Sequence, residues 1–334
     1  MINIIRECAE AHNLIFGICD GRDLDMELFG DVCDIPFFHG ESLDRISPKR
    51  FLDNAGSVIV IGSKIEHKPI VKGLDYIMAP SLSGGDYHRK LQALAKGLAC
   101  AMNKQIKFNY RIQVDSGPLM EVAFAVKAGM GFAGMNKSII SEKFGGFFNI
   151  GLIVTDLEIA EIFALDGGNN AQICTEPHKS ERKCPKSCGK CTKSCPTGAL
   201  GDDGSFNYEK CISYITQKKG VLSEAEMMAM GVTIYGCDIC RSVCPGNSSG
   251  FAAQGDFSEK TELLHRILAM GKKEFENTFG GSNFFWRGKT TIQRNCLIAL
   301  YNLGGEAAVD IIRAYAGNSN EILSSTAKKL IEMA

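Results

Sequence analysis

The segment CPKSCGKCTKSCPTGAL, residues 184–200, places four cysteines within twelve positions and ends the run at a Cys-Pro pair. A second run farther along the chain repeats the last two spacings and the Cys-Pro ending. The cysteines in order are Cys184-x3-Cys188-x2-Cys191-x3-Cys195-Pro, then Cys211, then Cys237-x2-Cys240-x3-Cys244-Pro. Repeated Cys-x2-Cys-x3-Cys-Pro units are typical of chains that bind [4Fe–4S] clusters through thiolates.

Two other uses of these thiols compete with iron–sulfur. Disulfides are rare in reducing compartments. A four-thiolate zinc site usually takes two separated cysteine pairs and does not need the Cys-Pro ending. Eight thiolates match two [4Fe–4S] clusters at four each. Iron–sulfur is therefore favoured, with zinc and disulfides as alternatives.

The repeated motif also predicts how the ligands divide. In two-cluster ferredoxins, the cysteine before proline binds the other cluster, so each motif serves both. The first cluster is then predicted at Cys184, Cys188, Cys191 and Cys244, and the second at Cys195, Cys211, Cys237 and Cys240. The wider gap after Cys184 makes it the least regular ligand. The six cysteines outside the motifs are predicted to be small buried hydrophobic residues: Cys8, Cys19, Cys33, Cys100, Cys174 and Cys296.

Bulk composition limits the classes of protein to consider. A length of 334 residues suggests two or three domains. A net charge of -1 gives no global attraction to nucleic acid or membrane. The start does not read as a signal peptide, and the longest apolar run, FFNIGLIV, is too short to span a bilayer. We expect a cytoplasmic monomer with no membrane partner.

Charge is uneven near the cysteines. Residues 179–219 hold nine Lys and Arg against four acidic residues. These cations either compensate negatively charged clusters on a solvated face or track the phosphates of RNA.

Hydrophobic patterning predicts an α+β chain in three segments. Residues 1–165 alternate helix-like and strand-like stretches, with buried strands at 57–63 and 148–155, and are expected to form an α/β or α+β domain. Residues 166–255 carry the cysteine motifs. Residues 256–334 contain amphipathic stretches only, which resemble a small stack of helical repeats.

Two groups in the first segment could carry chemistry. Asp115 follows a predicted strand and precedes a glycine-rich turn, where it could act as a proton donor; otherwise Asp115 or Ser116 caps the next helix. Asp86, Tyr87 and His88 lie at a predicted helix start, where His88 could equally be a capping or core group.

Several segments stand in the order seen in one enzyme family. They are VDSGPLMEVAFAVKAGMGFAG, DYHRKL, FFNIGLIVTDL, CGKC, CPTGAL, KCISYIT, YGCDICRSVCPGN and IQRNCLIALYNLG. The chain thereby resembles the epoxyqueuosine reductases, cobalamin-dependent iron–sulfur enzymes of queuosine-tRNA maturation that are related to reductive dehalogenases. The combination with Val114-Asp115-Ser116 and Asp86-Tyr87-His88 is more specific than the cysteine motif alone.

The resemblance implies a cobalamin-binding α/β domain (1–165), a ferredoxin-like domain with two [4Fe–4S] clusters (166–255) and C-terminal HEAT-like helices that help to hold tRNA (256–334). It implies that Asp115 donates the proton. Cofactor contacts are implied at Asp86, Tyr87, His88, Ser116, Gly129, Gly131 and Gly134. The implied reaction reduces epoxyqueuosine in tRNA to queuosine, with electrons from a donor such as flavodoxin or ferredoxin passing through both clusters to cobalamin.

Departures from the family pattern keep other functions open. The approach to Asp86 reads APSLSGG, Leu152 replaces a glutamate, and Gly246 replaces a tryptophan. The alternatives are a divergent reductase of the same architecture with another small-molecule substrate, with or without cobalamin, and a non-catalytic two-cluster electron carrier.

Overall fold

The computed structural model describes residues 1–25, 41–164, 184–185, 187–247 and 255–334. The chain divides into two compact units, each assembled from separate segments. The first unit comprises Met1–Ile65, Tyr87–Cys188 and Pro245–Ser248, and the second comprises Glu66–Asp86, Gly189–Cys244 and Ser249–Ala334.

A four-stranded antiparallel sheet forms the centre of the first unit, in the order β1-β2-β6-β3. Strands β4 and β5 form a separate antiparallel pair and lie between β3 and β6 in the sequence. The strands are β1 (Leu14–Asp20), β2 (Ser57–Lys64), β3 (Tyr110–Gln113), β4 (Phe132–Ala133), β5 (Ile139–Ile140) and β6 (Phe148–Thr155). The strands predicted at 57–63 and 148–155 are thus confirmed as β2 and β6.

Helices of the first unit cover both faces of the sheet. They are α1 (Ile2–Ala11), α2 (Pro48–Phe51), α3 (Tyr87–Met102), α4 (Glu121–Lys127) and α5 (Ile159–Ala164), with a short 3-10 helix at Ser42–Arg45. Successive strand residues point to opposite faces. Val58 and Val60 therefore join a core with α4, while Ile59 and Ile61 join another core with α1 and α3.

Antiparallel pairing makes this unit α+β. The described strands contain no parallel pair, so of the two folds predicted for residues 1–165, α+β is confirmed and strict α/β is not. In the sequence, helix-like stretches lie between the strand-like stretches. In the structure, however, β2 and β6 are direct antiparallel neighbours, with Val60 opposite Leu152. Helix α1 ends at Ala11, and β1 begins at Leu14 after a left-handed Asn13.

The second unit is built from helices around one core. Four short helices lie in the segment that contains the motif cysteines: α6 (Lys190–Ser194), α7 (Ile212–Ile215), α8 (Glu224–Ala229) and α9 (Ile239–Ser242). Five longer helices follow: α10 (Phe257–Ala269), α11 (Lys272–Phe279), α12 (Lys289–Leu303), α13 (Glu306–Tyr315) and α14 (Glu321–Glu332). Its 3-10 helices are Leu74–Tyr76, Pro80–Leu82, Tyr208–Lys210 and Phe285–Arg287.

Helix α12 lies at the centre of that core and is buried around its circumference from Thr291 to Leu300. Gly304 and Gly305 end it with φ angles of 81° and 91°, which glycine adopts at low cost. Among the described residues, none of the helices has both the length and the apolar character that crossing a membrane requires.

Two buried polar side chains of α12 connect it to the cysteine-bearing segments of the same unit. Asn295 Nδ2 donates to the carbonyls of Thr216 and Ile234, each at 2.7 Å. Arg294 donates to the carbonyls of Lys218 and Gly220 and to Asn295 Oδ1. Burial lowers the pKa of Arg294 to about 10, so it remains a cation at neutral pH. These bonds fix the chain after Cys211 and before Cys237.

Replacing the central amide should destabilise this unit. Asn295→Ala leaves two buried carbonyls and the Arg294 guanidinium without that partner, and each buried group left unpaired costs about 1–3 kcal/mol. We expect a loss of about 3 kcal/mol or more in the free energy of unfolding, measured by anaerobic urea denaturation. Lys328→Ala, an exposed change on α14, is the control and should stay within about 0.5 kcal/mol. A loss under about 1 kcal/mol for Asn295→Ala would contradict this role.

Candidate active site and cluster ligands

Asp115 sits in a tight turn between β3 and α4. The Ser116 N–H donates to the Val114 carbonyl at 2.6 Å, closing a three-residue turn with Asp115 at its centre. Asp115 has a φ of 54°, in the left-handed region. That conformation costs a non-glycine residue roughly 1–2 kcal/mol, and Asp is one of the few that adopt it. Neighbouring contacts must therefore hold the turn.

The first two residues of α3 hold the carboxylate. Tyr87 Oη donates to Asp115 Oδ2, and His88 Nε2 lies 3.4 Å from the same oxygen. The two rings stack, with centroids 4.1 Å apart. Even so, 49% of the Asp115 side chain is exposed. The carboxyl is thus fixed on one side and accessible on another.

A second carboxyl, from Glu121 in the first turn of α4, holds the backbone of the turn. Glu121 Oε1 accepts from the Asp115 N–H at 2.6 Å and from Gln113 Nε2 at 3.1 Å. Gln113 also pairs with both backbone groups of Leu119, at 2.7 Å and 2.9 Å. The Gln113 side-chain amide therefore joins the two ends of the loop, and the Glu121 carboxyl holds the Asp115 turn within it.

The two carboxyl groups differ in acidity. Desolvation raises the pKa of Asp115, but hydrogen bonds from His88 and Tyr87 outweigh it and hold that pKa below its ordinary value. Burial, followed by the negative charge of Asp115, raises the pKa of Glu121 well above its ordinary value. A proton shared by the pair is therefore favoured on Glu121 over Asp115.

The structure tests the non-catalytic interpretations of these residues. Helix α4 begins at Glu121 with Met120 as its N-cap, so the interpretation of Asp115 or Ser116 as a helix cap was wrong. His88 lies at the start of α3 and faces the Asp115 carboxylate, rather than filling the core.

Other residues expected at the site lie in different surroundings. Asp86 belongs to the second unit, where its N–H donates to the Gly281 carbonyl at 2.7 Å. Ser116 is part of the Asp115 turn. Gly129 has a φ of 74° at the end of α4. A Cβ on Gly131 would lie 2.2 Å from the Ile140 carbonyl, and one on Gly134 would lie 2.6 Å from Asn136 Oδ1. Close packing within the β4–β5 hairpin and its turn thus accounts for these last two glycines.

Four motif thiols lie close together within the second unit. Cys195 follows α6, Cys211 precedes α7, Cys237 precedes α9 and Cys240 lies on α9. Cys195 interacts electrostatically with Cys211 and Cys237, and Cys240 interacts with Cys211 and Cys237. In the described part of the chain, no three His, Cys, Asp or Glu side chains are gathered tightly enough for a single metal ion.

Backbone N–H groups point at these sulfur atoms. Partial burial raises the pKa of Cys195, but hydrogen bonds from the Thr197 hydroxyl and the N–H groups of Leu200, Thr197 and Ala199 hold it below its ordinary value. Burial and the neighbouring thiols raise the pKa of Cys237 to about 11 and that of Cys240 to about 12. The donor set fits a four-iron cluster, since iron would compensate the crowded thiolates and N–H groups commonly surround cluster sulfurs.

The remaining motif cysteines are divided between the units. Cys184 and Cys188 belong to the first unit, and Cys191 and Cys244 to the second. Helix α6, which carries Cys191, packs against α9, which carries Cys240. The two cysteine motifs thus adjoin each other within the second unit.

The isolated cysteines meet the sequence prediction only in part. Cys19 and Cys296 are buried as expected, and Cys8 is half-buried. Cys100 is exposed, so its prediction was wrong; it lies on the outer face of α3, 3.6 Å from Tyr110 Oη. Cys33 and Cys174 lie outside the described residues.

Comparison with known proteins identifies the family. Residues 183–247 match the 4Fe-4S double cluster binding domain. An epoxyqueuosine reductase of Lactococcus garvieae is 36% identical over 84% of this chain and 79% of its own length. The chain belongs to the epoxyqueuosine reductase family.

Solved structures of this family share the fold. An epoxyqueuosine reductase with an epoxyqueuosine-modified tRNA-Tyr stem loop matches with a TM-score of 0.78 at 26% identity, covering 99% of this chain and 90% of that one. The Bacillus subtilis epoxyqueuosine reductase, with its catalytic aspartate loop swung out of the active site, matches with a TM-score of 0.79 at 25% identity, covering 99% and 89%.

Sequence reasoning missed Glu121 and Gln113 in this member of the epoxyqueuosine reductase family. Neither residue was singled out from the sequence as a candidate site residue. Their spacing around Asp115, at positions 113, 115 and 121, carries no known signature. Only the turn at Asp115 brings them together.

Removing the amide at the base of the loop should loosen it. Gln113→Ala leaves the buried N–H and carbonyl of Leu119 without their side-chain partner. Since 1.4 kcal/mol corresponds to tenfold in an equilibrium and each buried group lost costs at least about 1 kcal/mol, we expect amide hydrogen exchange across 114–119 to accelerate by at least about tenfold. Mass spectrometry of that peptide provides the measurement. Gln105→Ala, at an exposed position after α3, is the control; equal exchange in both variants would argue against the role of Gln113.

Proposed function

We propose that this chain reduces epoxyqueuosine in tRNA to queuosine. The observation that carries the proposal is the half-exposed Asp115 carboxyl, held by Tyr87 and His88, in a chain that also has the double-cluster cysteine motif. The reaction consumes two electrons and two protons: both C–O bonds of the epoxide break, a C=C bond forms, and the oxygen leaves as water. The chain must therefore supply both an electron path and an acid.

The electron path consists of two [4Fe–4S] clusters. We assign the second to Cys195, Cys211, Cys237 and Cys240, supported by the mutual interactions of these thiols and the N–H groups directed at them. The first is assigned to Cys184, Cys188, Cys191 and Cys244, supported by the motif spacing and the packing of α6 on α9. An external donor such as flavodoxin or ferredoxin supplies the electrons.

Cobalamin is the proposed cofactor at the reacting centre. The residues present fit a group that approaches Asp115 from its open side, because Tyr87 and His88 fix the carboxyl while 49% of its side chain stays accessible. Tyr87, His88 and Ser116 would border that group, and Gly129, Gly131, Gly134 and Asp86 are the further contacts that the family resemblance implies. When bound, the corrinoid supplies a cobalt centre that can accept electrons from the clusters and reduce the substrate.

The protein's own contribution at this centre is proton control. Asp115 holds its carboxyl where a leaving oxygen can take a proton. Tyr87 and His88 orient that carboxyl from α3, and Glu121 fixes its backbone from α4. General acids of this kind typically contribute about 10²–10⁴-fold to the rate.

The proposed partner is a tRNA anticodon stem loop, supported by the relative whose structure contains one. We propose that residues 1–165 bind cobalamin and substrate, 166–255 hold the clusters in a ferredoxin-like domain, and 256–334 form HEAT-like helices, within a monomer. The basic residues of 179–219 would contact phosphates.

The ligand assignment predicts the iron content of single variants. Cys237→Ser should remove the second cluster and leave the first, so anaerobically reconstituted protein should contain about four irons per chain instead of about eight. Iron analysis with electron paramagnetic resonance provides the measurement. Cys100→Ser, an exposed cysteine outside the motifs, should retain all the iron. Full iron content in Cys237→Ser would refute the assignment.

The activity itself is tested on an epoxyqueuosine-containing tRNA stem loop. The protein is first loaded with iron and cobalamin, and a chemical reductant supplies the electrons. We expect single-turnover formation of queuosine by wild type and a decrease of about 10²-fold or more in Asp115→Asn, which cannot donate the proton. Asn tolerates the left-handed turn, so the variant should fold. Wild type that binds iron and corrinoid yet leaves the epoxide intact would instead favour the divergent reductase with another substrate.

A further inference from the structure

The contacts of Asp115 favour a protonation state that does not suit a proton donor. A donor must hold a proton at the moment of reaction, but hydrogen bonds from His88 and Tyr87 favour the ionised form of Asp115. A neighbouring group that favours its protonated form could hold the proton instead. Glu121 is the second carboxyl of this site, and its oxygen already lies 2.6 Å from the Asp115 backbone nitrogen.

We propose that Glu121 is the positioning residue of this site, which both fixes the Asp115 turn and holds the proton that Asp115 passes to the substrate. The inference rests on the proposed function and names a residue that works through Asp115. In the step, the O–H bond of Glu121 breaks as an O–H bond forms on Asp115, and Asp115 then gives its proton to the leaving oxygen. No electron moves in this transfer, and Glu121 is left ionised until solvent returns a proton.

Three contacts support the arrangement. The Asp115 N–H and Gln113 Nε2 both donate to Glu121 Oε1, so that oxygen acts as the acceptor and the other is left to carry the proton. The side chains of Glu121 and Asp115 also hydrogen bond to each other. The left-handed turn places the Asp115 amide on the Glu121 side while its carboxylate meets Tyr87 and His88.

The surroundings of the pair define its protonation. Tyr87 and His88 face it from α3, and the neutral Gln113 faces it from β3. Burial and the negative charge of Asp115 favour the protonated form of Glu121. Two adjacent carboxyls that share one proton are a known solution to the repulsion between like charges.

The first test needs neither substrate nor cofactor. Glu121→Gln keeps an oxygen for the Asp115 N–H and an N–H donor toward Asp115, but it has no proton to transfer. Infrared spectra of wild type at pH 7 should contain a protonated carboxyl band that is absent in Glu121→Gln. Glu10→Gln, at an exposed position of α1, should keep the band. A wild-type spectrum with no such band, or one equal to that of Glu121→Gln, would overturn the inference whatever the protein reduces.

The second test is the pH profile of single-turnover reduction. In Glu121→Gln, Asp115 must carry its own proton, and an Asp with an ordinary pKa of about 3.9 is protonated roughly tenfold less with each pH unit above it. We expect the variant's rate to fall about tenfold per unit between pH 6 and 8, while wild type and Glu10→Gln stay nearly constant until Glu121 ionises. The variant should therefore be at least about tenfold slower at pH 7.

Other outcomes separate the inference from the proposed function. A Glu121→Gln profile parallel to that of wild type, whether at the same or a lower rate, would overturn the proton-holding role and leave reduction intact. A protonated band that depends on Glu121, in protein that leaves epoxyqueuosine unchanged, would instead support the carboxyl pair while rejecting the proposed substrate. Glu121→Ala, which loses both contacts, should slow reduction more than Glu121→Gln does.

Discussion

The repulsion between like charges held close together is the constraint around which both chemical sites are built. The second unit gathers thiols that must all be ionised to bind iron, and the first unit places two carboxyls in contact. Left alone, each set would separate or take up protons. Hydrogen-bond donors of the polypeptide lessen this repulsion: N–H groups aimed at sulfur around Cys195, and Tyr87, His88 and a backbone amide around the carboxyl pair.

The two sites solve the problem differently because their tasks differ. Thiolates that bind an iron cluster receive compensation from the metal, which must overcome the raised pKa values of Cys237 and Cys240. The carboxyls receive no such charge. They divide one proton between them, and the asymmetry of their neighbours decides which of them holds it.

Helix α12 fixes the thiol-bearing segments through Asn295 and Arg294. An apolar contact at this place would leave buried carbonyls unpaired.

Sequence alone could predict the features that depend on local pattern. β2 and β6 are runs of β-branched and aromatic residues, and their limits were predicted closely. The cysteine motif was readable because cluster ligands keep fixed spacings, and the matched family domain spans the same residues. The place of His88 at a helix start was also predictable. Tertiary contacts were not: the antiparallel order β1-β2-β6-β3 depends on pairing between distant segments, and α4 starts at Glu121 because the Asp115 turn occupies the residues that could have capped it.

Glu121 illustrates why a chemical site is harder to predict than the motif beside it. A glutamate in the first turn of a helix usually means favourable interaction with the helix end, and nothing in its spacing from Asp115 marks it as a partner. Its role follows from a backbone turn with φ of 54°, which reverses the chain and presents the Asp115 amide to the Glu121 carboxyl. Reduction of an epoxide requires protons as well as electrons. The cysteine motif makes the electron path visible in the sequence, whereas the proton path depends on one strained residue and becomes visible only once the chain has folded.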